Sequence, residues 1–150
     1  MKTLNEICQL TDENEIIEAM GNLIQTKKNE NEDFFNLSEK EQTFLYIDNF
    51  EGSMNEGGFH YFFAAEIGSY VEEIIIAYQK IEAVKTAEII ANAVKIFPKK
   101  YSTQTKERQL LLEKATEEVL SAWEDLDELF FTDETEEDTI TLMVNYIKKQ

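Results

Sequence analysis

Apolar positions recur along this chain at helical spacing almost throughout. Ile16, Ile17, Met20, Leu23 and Ile24 follow the i, i+3/i+4, i+7 pattern of an amphipathic helix over about residues 12–27, and the polar stretch Lys27 to Asp33 predicts a loop. Ser38-Glu39-Lys40-Glu41 is a capping box, in which each side chain satisfies the other residue's free backbone N–H. The helix it opens runs through Phe44, Leu45, Ile47 and Met54 towards Gly57-Gly58, where a sharp turn between two packed helices is expected. An aromatic segment, Phe59 to Ala65, closes at Gly68, predicted as a left-handed C-terminal cap. Ser69-Tyr70-Val71-Glu72 repeats the capping box ahead of Ile74, Ile75, Tyr78 and Ile81, and Ala83 to Phe97 is a further helix stopped by Pro98. A long helix from about Thr105 is apolar at Leu112, Val119, Ala122, Trp123, Leu126, Leu129 and Phe130. A terminal helix, from about Asp133 to Lys148, buries Ile140, Met143, Val144 and Ile147. Period-two alternation, fixed-length repeats and linker-like stretches are missing. The pattern predicts an all-α fold of six to eight helices in one compact domain spanning residues 1–150.

Charge changes this picture more than composition does. A hydrophobic content of 43% with ten Phe and six Tyr supports a packed core, so acidity does not mean disorder. The formal net charge is −17, and it comes in blocks. Residues 1–60 hold thirteen acids against four lysines, residues 61–114 seven acids against eight bases, and residues 115–150 eleven acids against Lys148 and Lys149. From Ala115 to Ile147 there is no basic residue. Self-repulsion opposes compaction, so such a field speaks to solubility and partners and not to folding. An acidic, soluble surface is the plain explanation; a surface shaped for a basic partner is the sharper one. Either way, direct binding to nucleic acid or to an anionic membrane is disfavoured, because phosphate contacts need Lys and Arg. Residues 1–6 lack the apolar stretch of a signal peptide, and the longest apolar run, Ile74 to Tyr78, is too short to span a bilayer, so a cytoplasmic protein is expected.

Catalytic constellations are scarce, and none is assigned. Cys8, the one cysteine, sits among Leu4, Ile7 and Leu10 and suits a small buried hydrophobe better than a reactive thiol. His60, the one histidine, lies between Phe59 and Tyr61 and is expected to be partly buried and structural. The Gly57-Gly58 pair lacks the spacing of a phosphate loop and has acids, not bases, around it. Asp133 to Asp138 fails as a calcium loop, since the sixth position is Asp138 where glycine is needed and the twelfth is Asn145 where glutamate is needed. No metal or cofactor is expected. The cluster reads as a helix N-terminus, where acids favour the macrodipole.

Spacing singles out another set. Glu113, Glu117, Glu124 and Glu128 recur at i+4, i+7 and i+4, along one helix side opposite the Val119–Trp123–Leu126–Phe130 stripe, and Glu118 and Asp125 widen that face. Carboxylates four residues apart sit about 6 Å apart along a helix axis. That approaches the spacing of successive phosphates on a DNA strand, with roughly one charge per 3.4 Å of axis per strand. With Asp133, Glu134, Glu136, Glu137 and Asp138 these acids form the candidate partner-binding surface, and Glu13, Glu15, Glu18, Glu30, Glu32 and Asp33 are candidate additions.

Leu37 to Glu41, Asp48 to Phe59 with its Asn55-Glu56-Gly57-Gly58-Phe59 core, Tyr61-Phe62-Phe63, Gly68, Ile81 to Ile90, Ile96-Phe97-Pro98, Leu126 to Phe131 and Tyr146-Ile147 carry a resemblance. Over about residues 37–150 the chain resembles the bacterial DNA mimic protein 19 family, most of whose members have no assigned role. The resemblance implies an all-α fold and, for the namesake, a homodimer whose acidic surface imitates double-stranded DNA and occupies a transcription regulator. In the family's pattern polar Gln, Asn and Ser follow the glycine pair, where this chain has Tyr61, Ala65 and Glu66. Asn55-Glu56 stands for a usual Asn-Asn, so only Asn55 carries over. Asn55, Gly57, Gly58, Phe59, Phe62 and Gly68 are taken as the family motif, with a structural role.

Three functions compete. The first is an acidic interaction protein, a DNA mimic that occupies the basic face of a DNA- or nucleic-acid-binding protein. The second is an immunity or anti-toxin binder of another basic protein. The third is a small-ligand or enzymatic site around Asn55 to His60, which an open pocket lined by those residues would favour.

Overall fold

The structure is a computed structural model that describes residues 2–30, 36–132 and 135–149. Eight α-helices and no strand occur among the described residues: α1 Leu4–Cys8, α2 Glu13–Asn29, α3 Glu39–Ala64, α4 Val71–Lys80, α5 Val84–Ile96, α6 Thr105–Glu113, α7 Glu117–Phe131 and α8 Thr139–Lys148. A 3-10 turn, Glu66–Tyr70, joins α3 to α4.

Most of these helices start where an oxygen can satisfy a free backbone N–H. Thr3 and Glu6 form a capping box on α1, and Asp12 Oδ1 accepts from Glu15 N–H on α2. The box predicted at Ser38 and Glu41 forms on α3. Thr116 and Asp138 cap α7 and α8. The second predicted box does not form. Ser69 lies in the 3-10 turn, its hydroxyl accepts from the Arg108 guanidinium at 3.1 Å, and α4 begins at Val71 without a side-chain cap. The long helix expected from Thr105 is also two helices, broken at Lys114–Thr116, because Thr116 turns its hydroxyl onto Val119 N–H and starts α7 afresh.

Helix α3 is the axis of the molecule, packing against α2, α4, α6, α7, α8 and the 3-10 turn. Phe50 on α3 is fully buried and meets Phe62 (4.9 Å), Tyr78 (5.8 Å) and Phe130 (5.5 Å) edge-on, uniting α3, α4 and α7. Such edge-on pairs add about 0.5–1.5 kcal/mol each beyond their area burial. Beyond the glycine pair, Phe63 packs on Phe97, Tyr101 and Trp123, and Trp123 Nε1–H donates to the Ala93 carbonyl at 3.0 Å, fixing α7 on α5. At the other end α2 packs on α8, and Lys40 Nζ donates to the carbonyls of Ile147 (2.7 Å) and Lys149, closing the C-terminus of α8 with a cation. Beside it Lys27 Nζ grips both oxygens of the buried Glu41, at 2.9 and 2.8 Å.

Candidate functional site

The outward side of α7 carries the acids that the spacing singled out. At about 100° per residue, Glu117, Glu124 and Glu128 fall within about 40° of one another around the helix, with Glu118 and Asp125 about a quarter-turn away. Trp123 and Leu126 are buried on the opposite side, against α3 and α5. All five acids are exposed. Among the described residues, none of the five forms an ion pair, and none of their side chains makes a hydrogen bond.

The other predicted acids separate from this row. Glu113 is exposed but ends α6, so the break before α7 removes it from the Glu117–Glu128 helix. Asp133 and Glu134 lie outside the described residues, as do Glu32 and Asp33. Glu136 is exposed on the loop before α8, with φ 56°. Asp138 is exposed too, and its Oδ1 accepts from Thr141 N–H to cap α8. Glu137 turns inward. Its oxygens accept from Lys85 N–H (2.9 Å), Thr86 N–H (2.8 Å) and the Thr86 hydroxyl (2.7 Å), so it caps α5 from 51 residues away. The terminal helix expected from about Asp133 starts at Thr139, so Glu136 and Glu137 precede it, and of the described acids in Asp133–Asp138 only Asp138 caps its N-terminus. From the other acidic end, Glu15, Glu18 and Glu30 are exposed, whereas Glu13 accepts from the Thr141 hydroxyl of α8. Helices α2 and α7 both pack on α3, and neither is the other's principal neighbour.

The glycine pair divides α3 into two helical segments that meet at a kink, the sharp turn expected there. Gly57 has extended φ (−174°), and Gly58 takes φ 70°, ψ −160°, a conformation essentially confined to glycine. Phe59 restarts the helix, and its N–H donates to Asp127 Oδ1 of α7 at 2.8 Å. A Cβ on Gly58 would lie within 2.7 Å of Asp127 Oδ1 and closer still to Oδ2. Gly58 and Asp127 thus form one device: the kink exposes a helix N-terminus, and α7 supplies the carboxylate that caps it. Burial raises the Asp127 carboxyl above its ordinary value, the Phe59 bond pulls it back, and neighbouring Glu124 adds to the rise. Gly68 is not a left-handed cap. It sits in the 3-10 turn, where a Cβ would come within 2.7 Å of the Phe62 carbonyl and 3.2 Å of the Arg108 guanidinium, so the place calls for glycine. Phe59 and Phe62 are fully buried, and Asn55 is exposed. His60 is exposed rather than partly buried, since the kink turns it outward with its ring 6.5 Å from Trp123, edge-on.

An open cavity of about 220 Å³ lies where the end of α7 meets α3 and the start of α8, lined by Glu51, Asn55, Phe130, Phe131, Thr132 and Thr139 among others. Of the Asn55 to His60 segment only Asn55 reaches it. Burial pushes the Glu51 carboxyl above its ordinary value and Asp48 adds to this, against a 3.4 Å bond from the Tyr78 hydroxyl. No group of three or more His, Cys, Asp or Glu suited to a metal ion occurs among the described residues.

The kink, its aromatic sequel and the α7 segment around Asp127 all fall inside the stretch, residues 35–150, that matches the model of the DMP19-like protein family. The chain belongs to that family. The match begins two residues before the expected Leu37 and leaves α1 and α2 outside it. Comparisons with curated proteins and with solved structures found no match. No helix among the described residues is long and apolar enough to cross a membrane.

Within the family-matched region, Arg108 is a key residue that sequence reading passed over. It is the only arginine beside thirteen lysines, and that contrast was its one visible signal. The side chain is fully buried and donates to the carbonyls of Phe63 (2.9 Å), Ala65 (2.8 Å) and Ser102 (2.9 Å), binding the end of α3 to the start of α6. Burial lowers its affinity for the proton, and the Tyr101 ring 5.6 Å away helps hold the cation. Only a planar fork with five donors reaches so many acceptors at once.

Proposed function

We propose that this protein is an acidic interaction protein, a double-stranded-DNA mimic that occupies the basic surface of a DNA-binding protein. Membership of the DMP19-like family is consistent with that role, and the α7 face is the observation that carries it. From Glu117 to Glu128 the helix rises about 16.5 Å. Its five exposed, unpaired carboxylates amount to roughly one charge per 3.3 Å, close to the one per 3.4 Å of a single DNA strand. Lys and Arg side chains that otherwise meet phosphates would meet this row, with fast, salt-sensitive association. Several other acidic side chains cap helices or pair with lysines, and none of these five does.

The test is capture from a bacterial lysate at low salt on the immobilised chain, followed by a salt gradient and competition with duplex DNA. We expect a DNA-binding protein that duplex DNA displaces, and earlier elution from the triple variant Glu117→Gln, Glu124→Gln, Glu128→Gln. Exposed pairs contribute about 0.2–1 kcal/mol each, so three should cost roughly 3- to 150-fold in affinity. Recovery of no DNA-binding protein, or of partners indifferent to salt, overturns the proposal.

A further inference from the structure

We infer that the cavity at the C-terminal end of α7 receives one cationic side chain, an arginine guanidinium, from the protein that docks on the α7 face. The inference rests on the interaction reading above and specifies the chemistry at one point of it.

Four observations converge on a cation. First, the polar groups of the lining are two carboxylates (Glu51 and Glu137), an amide (Asn55) and threonine hydroxyls, with no lysine or arginine among the lining residues. Second, α7 ends here, and its last turn contains no basic residue. Thr132 N–H returns to the Glu128 carbonyl, so the negative end of the α7 dipole lies at the cavity, beside Phe131 and Thr132 of its lining. Third, the opposing field, the positive N-terminus of α5, is already neutralised by Glu137 through its three bonds to Lys85 and Thr86. An anion would therefore meet carboxylates and no positive charge in the lining, where a cation finds several acceptors. Fourth, Glu51 is held in an environment that penalises its charge, and a cation beside it would remove that penalty.

Size and shape narrow the choice. Pockets for drug-sized ligands run to about 300–1,000 Å³. A cavity of about 220 Å³ suits one long side chain instead. Phe130 and Phe131 stand edge-on to each other at 5.2 Å, and Phe131 is 52% exposed, leaving ring surface for a planar cation. A guanidinium stacks on such a ring and spreads five donors over carboxylate, amide and hydroxyls, which an ammonium does less well. Glu128, the last acid of the row, lies one turn before Thr132. The row would steer the partner, and the cavity would select one arginine of it.

The experiment is an amide ¹H–¹⁵N titration of the full chain with N-acetyl-arginine amide, against its uncharged isostere N-acetyl-citrulline amide. Saturable shifts at Asn55, Phe131, Thr132 and Thr139 are expected with arginine only. Glu51→Gln, which keeps an acceptor for Tyr78, and Phe131→Leu, an exposed position, should each weaken binding at least about fivefold. Non-saturating shifts confined to the outer side of α7, or equal binding of the citrulline compound, overturn the inference. If the lysate yields a salt-sensitive DNA-binding partner while arginine amide leaves the cavity unshifted, this inference falls alone. If the cavity saturates with arginine amide and no DNA-binding protein is recovered, the mimic reading falls, and the cation site stands for an arginine of another protein.

Discussion

Substituting Gly58 by alanine tests the device that joins the α3 kink to α7. Two costs can be read from the geometry. At φ 70°, ψ −160° an L side chain is strained by about 1–3 kcal/mol. The new Cβ would also lie within 2.7 Å of Asp127 Oδ1, so the carboxylate must leave the Phe59 N–H it now caps at 2.8 Å. Losing a cap costs about 0.5–2 kcal/mol. Gly58→Ala should therefore destabilise by about 3 kcal/mol, which for a chain of this size lowers Tm by about 6–12 °C. Asp127→Ala alone forfeits only the cap, about 1 kcal/mol. In the double variant the clash is gone and the cap is lost only once, so it should be about as stable as Gly58→Ala alone. The cycle then closes with a coupling of about 1 kcal/mol in place of additivity. Urea unfolding followed by Trp123 fluorescence and far-ultraviolet circular dichroism measures all four corners. Additive losses, or a Gly58→Ala variant within about 0.5 kcal/mol of the parent, would refute the coupling of kink and carboxylate.

Arg108→Met should leave the carbonyls of Phe63, Ala65 and Ser102 short of a donor. At about 1–3 kcal/mol each, offset in part by relief of the guanidinium's desolvation, the net loss should be about 3–5 kcal/mol by the same urea assay. A change below about 1 kcal/mol would mean that desolvation cancels the bonding. Three partly buried carboxyls set the sign of the pH dependence, and exposed Glu39, held low by Lys80, acts in the same direction as Glu41. Burial raises Glu51 and Asp127, so the folded state binds their protons more tightly than the unfolded state does. Their contribution declines as pH rises from the ordinary carboxylate value through the raised one. Burial also pushes Glu41 upward, but its bonds from Lys27 and Ser38 together outweigh it and hold it low, so its stabilisation is lost only as pH falls through that lowered value. Thermal unfolding should peak on the mildly acid side of neutrality, and Glu51→Gln should flatten the decline towards neutral pH. A parent Tm that climbs steadily from pH 4.5, the ordinary glutamate value, to neutrality would contradict this.

What the sequence revealed and what it hid differ by range. Ser38-x-x-Glu41 and Ser69-x-x-Glu72 are the same local signal, yet only the first caps a helix. The Ser69 hydroxyl is taken by Arg108, 39 residues on, and by Thr105, 36 residues on, and no window around Ser69 contains either. Glu137 and Asp127 were hidden in the same way. Both sit in acidic runs that look like one surface, and both turn out to cap helices far away in sequence. The break at Thr116 was legible. A threonine followed by Glu117-Glu118 and then Val119 is an N-terminus signal, masked by the apolar periodicity that continues across it. The periodicity itself found the inward side of α7 correctly, because burial of Trp123 and Leu126 depends on the helix's own repeat.

These assignments bear directly on what the net charge of −17 means. An acid at a helix N-terminus stabilises the fold it belongs to, and Glu6, Asp12, Glu41, Asp127, Glu137 and Asp138 are all used in that way. Glu13, Glu39 and Glu82 have partners on other elements. A surface built for solubility alone would mix signs along a helix, since Glu and Lys four residues apart stabilise it and like charges do the reverse. The chain has lysines to do this and places none on α7. Glu124 and Glu128 stand at that repulsive spacing, and Glu124 also opposes ionisation of Asp127, the residue that holds α7 to the kink. Glu117 and Glu118, in the first turn, favour the helix dipole, but beyond that turn the row works against the local structure that carries it. A feature that costs stability and is kept on one uninterrupted face supports the proposed basic partner, which would turn each of those repulsions into an attraction.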